Sequence, residues 1–104
     1  MSFEVRFSTE AEDDLVRLFG ILLDRVQTME ELGQAESANQ AIRSAVLSLL
    51  ATTPYSFRKA GMSSTRRELI IPFGGTGYVA LYEIADASIV VVLAVRHQRE
   101  EDYQ

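Results

Sequence analysis

The chain has 104 residues, a net charge of −5, a pI near 4.8, no cysteine and a single histidine. That length predicts one domain spanning 1–104, without room for a second independent core. The missing cysteines exclude disulfides and thiol chemistry, one histidine argues against a structural zinc site, and the acidic balance argues against a general nucleic-acid binder.

Phe3-Glu4-Val5-Arg6-Phe7 alternates apolar and polar residues, as a half-buried strand does. Thr9-x-x-Glu12 fits a capping box, and Glu10, Glu12, Asp13 and Asp14 complement the positive end of a helix dipole. Leu15, Leu18, Phe19, Leu22 and Val26 then recur at helical spacing, so a first helix is expected over about 10–27. Thr28 to Gln34 is polar, with Gly33 as a helix break. On a second helix, Ala35, Ala38, Ile42, Ala45, Val46 and Leu49 form one stripe, and Thr53-Pro54 ends it. The two helices make an αα-hairpin.

Tyr55 to Thr65 is polar, contains Gly61 and a Ser63-Ser64-Thr65 run, and is expected to be a mobile connection. Arg66 to Ile71 is a strand ending at Pro72, and Phe73 to Gly77 is a turn. Tyr78 to Ile84 is a second strand, and Ala85 to Ser88 a second turn. Ile89 to Val95 is a run of seven apolar residues, which predicts a central strand buried on both faces. Its neighbours are expected to be Tyr78–Ile84 and, most economically, Phe3–Phe7. The order is β-α-α-β-β-β: an α+β, two-layer domain with an antiparallel meander packed against the αα-hairpin.

Several motifs bear on chemistry. Gly74-Gly75-Thr76-Gly77 leads into a strand rather than a helix, so it reads as a hairpin turn and not a phosphate loop. The acidic cluster at Glu10–Asp14 lacks calcium-loop spacing. Tyr78 and Tyr82 share a strand face and read as core under the hairpin rather than as a base-stacking platform. Arg96-His97-Gln98-Arg99 with Tyr103 carries a catalytic vocabulary: an acid–base group, cations for a transition-state phosphate, and a phenol. A solvated strand end that discourages edge association explains the same residues, and both readings stay open. Charge is uneven along the chain. Residues 1–53 hold four basic against nine acidic side chains, whereas residues 54–104 balance at six each, with Glu100, Glu101 and Asp102 in the tail. Without that tail the second half is locally basic.

The hairpin PFGGTGYVALYEI paired with the terminal VRHQREEDY, behind two amphipathic helices, resembles the ParE/RelE superfamily of toxins from type II toxin–antitoxin systems, closest to its ParE-like branch. The resemblance covers essentially the whole chain. It implies a small cytoplasmic toxin without cofactor or metal, held by a cognate ParD-like antitoxin in a hetero-oligomer. In the ParE-like branch the implied target is DNA gyrase, inhibited by protein contact without catalysis by the toxin. In the RelE-like branch it is mRNA on the ribosome, and matching that pattern places Arg67, His97, Arg99 and Tyr103 at the nuclease positions. A lone lysine, Lys59, and the acidic balance favour the ParE-like branch, with no sequence-specific nucleic-acid binding and no membrane partner. The expected antitoxin or target contacts are Arg58, Lys59, Arg66, Arg67, Arg96 and Arg99.

Overall fold

The computed structural model describes residues 2–99. Strand β1 is Glu4–Phe7, helix α1 Thr9–Asp24 and helix α2 Met29–Thr52. A 3-10 turn at Pro54–Ser56 leads to β2, Arg58–Lys59, and β3, β4 and β5 follow as Arg66–Phe73, Thr76–Ile84 and Ile89–His97. The strand order β1-β5-β4-β3-β2 gives a mixed sheet: β1 runs parallel to β5, and the other pairings are antiparallel. The hairpin covers one face. This is the expected α+β arrangement, with β5 flanked by β1 and β4, plus one strand that the sequence pattern did not reveal.

Local boundaries moved for identifiable reasons. Ser8, in extended conformation, is the N-cap of α1 in place of Thr9, and its hydroxyl accepts the amide of Ala11 at 3.0 Å. Helix α1 ends at Asp24, and α2 begins at Met29, so Gly33 lies inside a helix instead of breaking one. A reciprocal cap, shifted one residue from the usual capping box, explains the early start. Thr28 accepts the Glu31 amide at 3.1 Å, and the Glu31 carboxylate accepts the Gln27 amide at 3.1 Å. The stripe on α2 is Ala35, Ala38, Ile42, Val46 and Leu50; Leu49 is exposed.

Leu15, Leu18, Ile42, Val46 and Leu50 meet Leu69, Ile71, Tyr78, Ala80, Tyr82, Val90, Val92 and Val95 in a continuous core. Each large apolar side chain so buried contributes about 1.5–3 kcal/mol. Tyr78 and Tyr82 are core residues, 3% and 0% exposed. The Tyr82 hydroxyl donates to the Pro54 carbonyl, tying the end of α2 to the sheet. Burial pushes the Tyr82 phenol up to about 12 and raises that of Tyr78 as well. The neutral form is the one the fold favours, so its contribution is complete below pH 10 and is lost as pH rises through 12. Wild-type stability should fall by roughly 2–3 kcal/mol across that window. In urea titrations at rising pH, Tyr82→Phe should be weaker near neutrality but show a shallower alkaline decline.

Between Leu81 and Tyr82 the β4–β5 register shifts, leaving Leu93 as an extra residue on β5. The bulge sits where β1 stops, so β5 continues past its neighbour. Side chains from the start of α1 take over the exposed backbone there. Ser8 donates to the Leu93 carbonyl at 3.2 Å, and the Asp14 carboxylate accepts the Val95 amide at 2.9 Å. Asp14 therefore does more than complement a helix dipole: it closes part of a strand edge. At the opposite edge β2 covers only Arg67 and Glu68. The two-residue turn Gly74-Gly75 makes Phe73 and Thr76 a hydrogen-bonded pair, so the Pro72 nitrogen points outward, where a missing N–H blocks strand addition. Gly74 has φ +60, which favours glycine at the first turn position.

Candidate functional site

Alternation along the strands splits the basic residues predicted from sequence between two faces. Arg58, Arg66 and Arg96 lie on the face away from the helices. There Glu68 accepts Arg58 Nε at 2.9 Å and Arg96 Nη2 at 2.9 Å. Arg96 reaches Glu68 by crossing β4 over Val79, its cross-strand neighbour, which is fully buried. Arg66 pairs with Glu83 at 3.5 Å. This face is thus largely neutralised by the protein's own carboxylates.

Arg67 and Lys59 lie on the helix-facing side, paired across β2 and β3. Lys59 is exposed. Arg67 instead turns in under the turn after α2. Its Nη1 donates to the Phe57 carbonyl at 2.8 Å, and its guanidinium lies 5.5 Å from the centre of the Tyr55 ring. Its Nε is buried without a hydrogen-bond partner. The segment expected as a mobile connection therefore begins as a pinned turn, followed by the edge strand β2 and its pairing with β3.

His97 stands at the other end of the sheet. It faces Tyr78 on β4, whereas Arg67 faces Tyr82, so four residues, about 13 Å along a strand, separate them. His97 Nδ1 accepts the Arg99 amide at 3.1 Å, which leaves the proton on Nε2 to donate to Thr76 Oγ1 at 2.9 Å. The ring stands edge-on to Tyr78 with centroids 5.4 Å apart. The structure brings His97 and Arg99 together and leaves Arg67 remote from both. Tyr103 lies outside the described residues.

His97 and Arg99 border a cleft of about 600 Å³ between the second half of α1, the β3–β4 turn and the end of β5. Leu18, Leu22, Phe73 and Tyr78 form its apolar floor, and Arg25 stands on the opposite rim. A smaller hollow of about 180 Å³ shares Leu22, Arg25 and Phe73 and continues to Ala35 and Ala38 on α2, making one trough. Arg25 was missed from sequence. It caps the end of α1, where a cation complements the dipole, and it lies seven residues beyond Leu18 on the same side. That spacing was the available signal.

Chemically, the trough offers an apolar surface bordered by Arg25, Arg99 and the Glu31 carboxylate, with the histidine bonded on both nitrogens. Among the described residues no helix is long and apolar enough to cross a membrane.

A chain of the chromosomal ParDE TA system from P. aeruginosa shares this fold with a TM-score of 0.70, over 91% of the present chain and 95% of its own, at 14% identity. A family model for the ParE toxin of the type II toxin–antitoxin system, parDE, matches residues 5–102. The protein belongs to that family of ParE toxins, and membership implies an antitoxin partner. Comparison with curated proteins by sequence returned no match.

Proposed function

We propose that this ParE-family toxin acts on DNA gyrase by protein–protein contact and is neutralised when its cognate antitoxin binds it. The observation that carries this reading is the placement of the cations. A nuclease that cleaves RNA needs several unpaired basic groups converging on one phosphate, with an acid–base residue free to move a proton. Here Glu68 holds Arg58 and Arg96, Arg67 is turned into the fold far from His97, and both His97 ring nitrogens are engaged. An acidic protein with one lysine also fits a ribosomal RNA surface poorly.

The test is supercoiling of relaxed plasmid by purified gyrase. The toxin should inhibit it, and prior addition of the antitoxin should restore it. If the protein works instead as a ribosome-dependent nuclease, Arg99→Ala and Tyr103→Phe should abolish transcript cleavage in a translating extract. The present reading expects no cleavage by the wild-type protein at all.

A further inference from the structure

We propose that the outward seam between α1 and α2 docks the toxin on the basic, DNA-binding surface of its target enzyme, with apolar side chains along the seam and carboxylates beside them. This rests on the gyrase reading above and gives it a surface.

The ion pair of Glu12 with Arg43, at 3.0 and 3.4 Å, sets the register of the two antiparallel helices. Counted from it by threes and fours, Val16, Phe19 and Leu23 line α1, Leu32 faces them from α2, and Leu47 lies beyond the pair. Val16 is 71% exposed, Leu47 49% and Leu23 38%, so this line looks to solvent and not to the sheet. Phe19 and Leu32 are half-buried. A run of apolar groups along the outside of a helix pair is the kind of surface that a protein partner covers.

Charge decides which partner. Asp13 and Asp24 stand about three turns apart on the outward side of α1, and Glu36 on α2 borders the same line. All three are exposed, and none has a cation within 4.0 Å among the described residues. Asp24 is also the last residue of α1, where the negative end of the helix dipole disfavours a carboxylate. It therefore weakens the helix that carries it. A second copy of the chain would bring these carboxylates against their own kind, and an acidic partner would meet the same repulsion. A cationic surface attracts all three. An enzyme that handles DNA is basic along the path of the duplex, so that path is the complementary surface.

The experiment measures binding of the full-length toxin to purified gyrase by biolayer interferometry, at low and high salt, with and without a duplex DNA competitor. Asp13→Asn, Asp24→Asn and Glu36→Gln together should weaken binding about tenfold at low salt, and less at high salt because screening removes part of the attraction. Val16→Ser should weaken it about threefold at both. The matched set Glu4→Gln, Glu83→Gln and Asp86→Asn, away from the seam, should change it by less than about twofold. Duplex DNA should displace the toxin. Asp24→Asn alone should raise the melting temperature while lowering affinity, a combination that a purely structural carboxylate does not produce. All of these residues are partly or fully exposed, and melting curves would verify folding of each variant. Unchanged affinity in the seam set, or binding indifferent to DNA, would overturn the assignment while leaving the gyrase reading intact. Absence of any gyrase binding by the wild-type toxin would overturn both. If the seam set loses the antitoxin instead of gyrase, or if sedimentation shows a toxin dimer that Val16→Ser dissociates, the seam has another occupant and the inference falls.

Discussion

Arg67→Ala is expected to lower the unfolding free energy by about 3 kcal/mol, the sum of an unpaired carbonyl and a partly filled void. The Phe57 carbonyl loses its donor, and the guanidinium that supports Tyr55 disappears. Part of this loss should be recovered in Arg67→Met. Methionine fills the same space, and the buried Nε that lacks a partner in the wild type is no longer present. Urea unfolding distinguishes this structural role from a docking or catalytic one. A binding residue at Arg67 would leave the denaturation midpoint unchanged and alter only partner affinity.

Gly77→Val should be at least as damaging, by about 3–4 kcal/mol. A Cβ at Gly77 would stand 2.7 Å from the Ile71 carbonyl oxygen and 2.8 Å from Gln98 Oε1. The glutamine can swing aside, but the β3 backbone opposite cannot move without disturbing the Phe73–Thr76 pair and the tight turn beyond it. Because Thr76 holds His97, the damage should spread into the trough. A lowered melting temperature is the expected result. A variant with native stability would mean that the strand ends yield more readily than the spacing indicates.

Much of the architecture was readable from residue pattern because burial wrote it there. The apolar run Ile89–Val95 pointed to a central strand, and β5 does lie between β1 and β4, but only Val90, Val92 and Val95 on its helix side are fully buried, and the other face is half-buried. Tyr78 and Tyr82 read as core because their strand face had to underlie a helical hairpin. The helix limits were harder. Thr28 and Glu31 carried a reciprocal cap hidden by the polarity of the stretch, and Gly33 looked like a break although an exposed glycine costs a helix only about 1 kcal/mol. Ser8 displaced Thr9 because its hydroxyl also serves the β5 bulge, a long-range contact that local pattern does not encode.

The site was less legible for a related reason. Charge along the chain gave Arg58, Lys59, Arg66, Arg67, Arg96 and Arg99 as one basic group, yet strand alternation puts Lys59 and Arg67 on the face opposite Arg58, Arg66 and Arg96. Glu68 lies between two of these arginines in sequence and in space, and neutralises Arg58 and Arg96 together. Only register reveals that. Arg99 stayed available, whereas Arg25 belongs to a distant helix and joins it only through tertiary packing.

The most direct test of the account is a supercoiling assay with purified gyrase, run beside a translating extract using one preparation of the toxin. The prediction is that supercoiling fails as toxin is added, returns when the antitoxin is supplied first, and that transcripts in the extract remain whole. Intact supercoiling at high toxin excess, with transcripts cut in the extract, would contradict it.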